Sequence, residues 1–233
     1  MNVQIYQCLA GAKEAHGFTV VIDVFRAFSL ECFFMSQGAK TVLPVGSAEL
    51  AYQLKEQHPD WLLAGERHAV KLPGFDFGNS PAQVQGLDFT GKTIIHTTSA
   101  GTQGIANAVH ATEIVTGSLL NAAAIARYIK KQNPTDVSLV CMGYESVEPS
   151  DEDTLCAEYI QSLLLDDPIP MDELKRRAAA MEFTSGARFF LPELQHAAPK
   201  EDFYLCTQFD QYDFVLRVDL TAEGYHKVTR IDS

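Results

Sequence analysis

Short apolar, β-branched runs alternate along the chain with stretches whose apolar positions recur at helical spacing. Residues 18–25 (FTVVIDVF) read as a buried strand, and residues 29–39 (SLECFFMSQGA) as a helix closing near Gly38. Residues 40–45 (KTVLPV) are the next strand, and residues 47–59 a helix that Ser47 caps and Pro59 stops. A short strand at 61–65 (WLLAG) precedes a helical turn at 80–85, with Ser80 as cap and Pro81 in first position. Strands at 92–98, 112–117 and 136–143 then alternate with helices at 101–110, 121–131 and 150 to about 165. This alternation predicts an α/β fold with a mostly parallel, mixed sheet flanked by helices. Beyond Asp166-Asp167-Pro168 the pattern changes. Residues 172–196 look helical, and 214–220 with 225–232 form a terminal antiparallel pair. The chain is therefore read as one domain, 1–233, whose last third (about 168–233) is either a subdomain or the sheet edge.

Ligands of parallel α/β sheets bind beyond the carboxyl ends of the strands, and four polar groups fall at such ends. Asp23 and Arg26 follow the 18–22 run, and Glu66 and Arg67 follow 61–65. Thr97, Thr98, Ser99, Gly101 and Thr102 follow KTIIH, while Glu145 and the acidic SDED (150–153) follow 136–143. Each has a plainer reading. Asp23 is placed to cap the next turn, and Ser150 with Asp153 fits a capping box. The hydroxyl-rich 97–104 turn is either an ordinary strand-to-helix turn or an anion site built from free backbone N–H groups. The most polar connection is GERHAVKLPGFDFGNSP, 65–81, where Glu66, Arg67, His68, Lys71, Asp76, Asn79 and Ser80 stand among glycines and prolines. GLDFTGKT (86–93) satisfies the P-loop pattern letter by letter, but it runs into a strand instead of opening a helix, so it is rejected.

Composition narrows the partners. A chain of 233 residues with 46% hydrophobic residues is ample for a real core. Five cysteines, an odd number set mostly in apolar runs, point to buried thiols in a reducing compartment. With no leader pattern and no apolar run of spanning length, the expected location is cytoplasmic. The net charge of −12 disfavours nucleic acid and anionic membranes as partners. It also requires that any anionic substrate meet cations concentrated locally. A homodimer is the default expectation, since two-fold dimers are the commonest oligomers.

The stretches VIDVFRA, GERHAVKLPGFDFGNSP, GKTIIHTTSAGTQG, GSLLNAAAIA and VCMGYESVEPSDEDTLCAE, in this order, resemble the 2-phosphosulfolactate phosphatase (ComB-like) family. Weaker similarity through EDFYLCTQFDQYDFVLRVD extends the resemblance over nearly the whole chain. It implies a layered ComB-like α/β fold and Mg²⁺-dependent release of phosphate from 2-phosphosulfolactate, a reaction tied to coenzyme M biosynthesis. The catalytic candidates it carries over are Asp23, Arg26, Glu66 and Arg67. The substrate-binding candidates are Asn79, Ser80, Thr97, Thr98, Ser99, Gly101 and Thr102. Asp23, Glu66, Asp76 and Asp153, with Glu152 beside it, are the candidate Mg²⁺ ligands, since Mg²⁺ takes hard oxygen donors. Several positions depart from the family pattern. Phe28 and Ser29 stand where threonines are usual, Ala100 where asparagine is, and His68, Ala69 and Glu158 where glycines are. The expected substrate is thus a small anionic phosphomonoester, 2-phosphosulfolactate or a related phosphorylated hydroxy acid. A non-catalytic anion-binding paralogue and another metal-assisted hydrolase of a small acid are the competing expectations.

Overall fold

The computed structural model describes residues 1–232. β1 (Asn2–Gln7) runs into α1 (Cys8–Glu14), β2 (His16–Ile22) into α2 (Ala27–Ser36), and β3 (Thr41–Pro44) into α3 (Ala48–Gln57). A hairpin of β4 (Leu62–Arg67) and β5 (Val70–Lys71) leads to α4 (Pro81–Val84). Next come β6 (Thr93–Thr97), α5 (Gly101–Asn107), β7 (His110–Gly117), α6 (Ala122–Gln132), β8 (Asp136–Cys141) and α7 (Asp151–Leu164). The chain ends with α8 (Met171–Ala180), three 3-10 turns, α9 (Lys200–Cys206), β9 (Phe214–Leu220) and β10 (His226–Asp232). The Ser47 hydroxyl accepts the Leu50 N–H at 3.2 Å and fixes the start of α3 as its sequence predicts. The P-loop look-alike ends where β6 begins, at Thr93.

The strands form one mixed sheet in the order β1-β8-β2-β7-β9-β10-β3-β6-β4-β5. β1, β8, β2 and β7 are parallel to one another, as are β3, β6 and β4. β9 and β10 pair antiparallel with each other, with β7 on one side and with β3 on the other. The terminal hairpin is therefore at the centre of the sheet, not at its edge. It also makes the two parallel blocks run in opposite senses. Each strand step adds about 20–25° of twist. Residues at the carboxyl ends of both blocks, among them Asp23 and Glu66, nevertheless line one cavity.

Both faces of the sheet are covered, which explains the continuous apolar runs of β2 and β8. One core joins β2, β7 and β8 to α6, α7 and α8 and takes in Phe189, Phe203 and Cys206 from the last third. A second packs α2 and α4 against β3, β6 and the terminal hairpin, with Phe34, Phe77 and Phe89 in edge contact. Burying each such side chain contributes about 1.5–3 kcal/mol. All five cysteines are free and buried. Among the described residues no helix is long and apolar enough to cross a membrane.

The structure differs from the expected elements in several places. β1, α1 and α9 were not expected; β1 is an edge strand with only one neighbour and a weak apolar alternation. The helix expected over 172–196 stops at Ala180, and 3-10 turns over Met181–Phe183, Ala187–Phe190 and Pro192–Leu194 follow. Ser150 occupies the N-cap position of α7, but its side chain makes no cap bond.

Candidate active site

The carboxyl ends of the strands meet in a cavity of about 480 Å³. Asp23 (after β2), Glu66 (on β4), Ser99 and Ala100 (after β6), Gly143 to Glu145 (after β8) and Ser150 to Glu152 (entering α7) form one wall. Asn79 from the 65–81 connection, Phe25 and Arg26 ahead of α2, and Thr184, Ser185 and Arg188 from the 3-10 segment complete it. The loops are stitched together across the opening. The Ser99 N–H donates to Glu66 Oε1 at 2.8 Å, Ser146 Oγ donates to the Ser99 carbonyl at 3.2 Å, and His68 Nδ1 lies 2.7 Å from Glu145 Oε1.

Asp23 reads both ways foreseen for it. Its Oδ1 accepts the Ala27 N–H at 3.1 Å and so starts α2, yet the carboxyl also lines the cavity. Burial pushes its pKa up to about 6, with Glu66 and Glu152 adding repulsion and the Ala27 and Gly101 amides pulling it down. Glu152 is raised as well, chiefly by burial, while the Ser185 hydroxyl and the Arg188 charge oppose the rise. Its Oε2 has no hydrogen bond of ordinary geometry.

Six of the predicted residues line the cavity: Asp23, Arg26, Glu66, Asn79, Ser99 and Glu152. The others stand outside it, each for a definite reason. Arg67 was expected beside Glu66 as a catalytic residue. β4 continues through both residues, and neighbours on a strand point to opposite faces. Arg67 Nη2 therefore reaches Thr97 Oγ1 at 2.8 Å, and Nη1 the Glu66 carbonyl at 2.7 Å. That contact also accounts for Thr97. Thr98 and Thr102 bond each other through hydroxyl and backbone N–H at 3.2 and 3.3 Å and close the first turn of α5. Ser80 donates to Asp202 Oδ1 at 2.8 Å. Asp76 is exposed and accepts the Leu63 N–H at 2.8 Å, bracing the loop against β4. Asp153, expected to hold metal or box with Ser150, accepts the Val24 and Gly143 N–H groups at 2.8 Å each, tying the ends of β2 and β8 together. Gly101 is a spacer: a Cβ there would lie 2.8 Å from Asp23 Oδ2.

Arg188 is the residue that sequence reasoning missed. It is half-buried on the cavity wall, its Nη2 donates to the Phe25 carbonyl at 3.0 Å, and its Nε is buried without a partner. Among the described residues it has no carboxylate at ion-pair distance, whereas Arg26 is paired with the fully buried Asp202 at 2.6 Å. The guanidinium lies over the Tyr144 and Phe189 rings at 5.7 and 5.1 Å. Burial lowers its pKa, with Arg26 adding to the effect. Its one sequence signal was a lone arginine inside the apolar run ARFFL, after two small residues.

The profile of the 2-phosphosulpholactate phosphatase family matches residues 5–220. A Bacillus subtilis (strain 168) protein named "Probable 2-phosphosulfolactate phosphatase" is 31% identical over 226 residues, 96% of each chain. The chain belongs to the 2-phosphosulfolactate phosphatase family. A like-named protein of Caldanaerobacter subterraneus subsp. tengcongensis is 33% identical over 84% of this chain and 85% of its own. One from Carboxydothermus hydrogenoformans is 44% identical over 62% of this chain and 59% of its own.

The departures from the family pattern now separate by place. Phe28 and Ser29, in the first turn of α2, are fully buried, and the Ser29 hydroxyl donates to the Val24 carbonyl at 2.8 Å. Glu158 on α7 pairs with Arg177 on α8. None of these three lines the cavity, while His68, Ala69 and Ala100 do. His68 and Ala69 form the two-residue turn between β4 and β5 with φ of 52° and 63°. Positive φ at both central residues is what a type I′ hairpin demands, which explains why glycines suit these positions in the family.

Proposed function

We propose that the chain is a Mg²⁺-dependent phosphatase of a small anionic phosphomonoester, 2-phosphosulfolactate or a closely related phosphorylated hydroxy acid. The observation that carries the metal is the charge of the cavity. Asp23, Glu66, Glu145, Glu148, Asp151 and Glu152 line it against two guanidinium groups. A phosphate ester would be repelled from such a wall unless a cation joined it. Among the described residues no three His, Cys, Asp or Glu side chains form a ready-made metal cage. Mg²⁺ does not need one, because it commonly keeps several waters and is held by one or two carboxylates together with substrate phosphate. Asp23 and Glu152 fit that donor set: both are buried, both are raised by that burial, and Glu152 has an oxygen to spare.

Mg²⁺ bound there would polarise the phosphoryl oxygens and ready a water. The protein's own part is positioning and charge neutralisation, which is most of what a loose phosphoryl transition state requires. Arg188, with its unpaired Nε, would hold the transferring phosphate or the neighbouring acid group through its planar fork. Arg26, already neutralised by Asp202, adds donors from the same side. Glu66, whose oxygens accept the Ser99 and Ala69 N–H groups at 2.8 and 2.7 Å, keeps the two loops in register. We place the enzyme in the cytoplasm and read the chain as one catalytic domain.

The test is phosphate release from 2-phosphosulfolactate and a panel of other phosphorylated hydroxy acids, with Mg²⁺ and with EDTA. Release that stops in EDTA and returns with Mg²⁺ is the expected result. Release indifferent to EDTA would remove the metal. Tight binding with no turnover would favour the anion-binding paralogue.

A further inference from the structure

Glu31 on α2 and His96 on β6 are both completely buried, with His96 Nδ1 2.9 Å from Glu31 Oε1. The other ring nitrogen, Nε2, lies 3.4 Å from Oδ1 of Asn79, which lines the active-site cavity. Glu31 Oε2 has no hydrogen-bond partner. A carboxylate and an imidazole taken wholly out of water are a costly way to fill a core, and a matched apolar pair often does so with no loss of stability. The file of Glu31, His96 and Asn79 leads from the second core to the cavity wall. Stability alone gives it no reason to end there.

The structure assigns Glu31 and His96 as positioning residues for Asn79. An asparagine amide carries an acceptor at Oδ1 and two donors at Nδ2. With Nε2–H of His96 donating to Oδ1, the acceptor end is occupied inside the protein and the Nδ2 donors are left for the cavity. Two proton arrangements place a proton on Nε2. In one, imidazolium faces the Glu31 carboxylate. In the other, neutral imidazole accepts at Nδ1 from a protonated Glu31. Both leave the buried pair neutral overall, and in both Glu31 fixes which ring nitrogen faces Asn79. Asn79 then offers N–H groups to an oxygen-rich ligand such as a phosphoryl group. The turnover part of this inference rests on the phosphatase reading; the proton on Nε2 does not.

The test pairs structure with kinetics. Nitrogen-15 spectra of imidazole-labelled, ligand-free protein should show His96 Nε2 protonated. The double variant Glu31→Met with His96→Leu removes both buried polar groups together and should fold with its thermal midpoint held. Its kcat/KM for 2-phosphosulfolactate should drop about 10–100-fold, the usual range for loss of an outer positioning group. Asn79→Ala should lose a similar factor. The triple variant should lose no more than Asn79→Ala alone, because the pair acts only through Asn79. A merely structural pair would give losses that multiply, and that result overturns the assignment, as does a double variant with full activity. If the wild type turns over no phosphomonoester, the phosphatase reading falls. The spectrum then decides alone: a bare lone pair on Nε2 overturns the positioning role, and a proton there sustains it.

Discussion

Asp23 gives the most direct test of a cavity short of positive charge. Its carboxyl is buried at the cavity wall, and that burial with the nearby Glu66 and Glu152 lifts it from an ordinary 3.8 to about 6. The unfolded chain keeps the ordinary value, so above pH 6 the metal-free native state carries this charge at a cost of about 3 kcal/mol. As pH falls from 6 towards 3.8, the native state takes up a proton that the unfolded chain does not, and stability rises through that window. Below 3.8 both states are protonated and the cost is gone. Asp23→Asn removes the charge but also one of two acceptor oxygens that face the Ala27 and Gly101 amides, a loss of about 1 kcal/mol. The variant should thus be about 2 kcal/mol more stable than wild type at pH 8 in EDTA. At pH 4 it should hold no advantage. Urea unfolding across this pH range measures both. Mg²⁺ at about a hundred times its Kd should add about 2.7 kcal/mol to the wild type and much less to the variant. An Asp23→Asn protein less stable than wild type at pH 8 in EDTA would refute the argument, since it would mean that the charge is welcome without metal.

Changes at three further positions probe the site. Gly101→Ala would set a Cβ 2.8 Å from Asp23 Oδ2 and 3.0 Å from both Ala27 Cβ and Phe28 Cζ. Overpacking of about 1–3 kcal/mol should lower the melting point by a few degrees, and kcat/KM should fall at least about tenfold as Asp23 shifts; wild-type kinetics would count against Asp23 as a site residue. Arg188→Gln should raise KM for phosphorylated acids and the inhibition constant of inorganic phosphate by about 10–100-fold, with stability changed by no more than about 1–2 kcal/mol. Arg188→Lys should recover only part of this, because the ammonium lacks the planar fork. Ala69→Gly should raise stability by about 0.5–1 kcal/mol in thermal unfolding, the left-handed cost of alanine less the entropy of glycine.

Most elements were legible because their signals are local. Ser47 ahead of α3 and the apolar runs of β2, β6 and β8 need only their neighbours in sequence to be read. The strand ends that hold Asp23, Glu66 and Ser99 followed from the same alternation, and the structure brings these three to one cavity. What escaped depends on distant parts. Whether β4 stops at Gly65 or runs on to Arg67 decides which way Arg67 points, and that is set by pairing to β6 and β5. A Cβ at Gly65 would come within 2.1 Å of the Thr97 carbonyl, so this tight pairing also needs a glycine. The central place of β9 and β10 could not be read from two strands at the chain's end. Arg188 lies on a 3-10 turn with no periodic signature.

The cavity also shows how a protein of such negative charge sets cations against its own acids. The strand ends contribute mainly carboxylates, while the two cations, Arg26 and Arg188, both depend on the last third. Asp202 on α9 accepts Arg26 Nη1 at 2.6 Å through one oxygen. Through the other it accepts the Ser80 hydroxyl and the Ala82 N–H, both at 2.8 Å. One buried carboxylate of the last third therefore anchors the arginine that precedes α2 and the start of α4, just beyond Asn79. The segment between α8 and α9 adds Arg188 beside them. Without the last third, Arg26 would lose its partner, Arg188 would be missing, and the six carboxylates would face one another across water. The acids are a property of the sheet; Arg188, and the partner that holds Arg26, come only with the C-terminal segments that dock onto it.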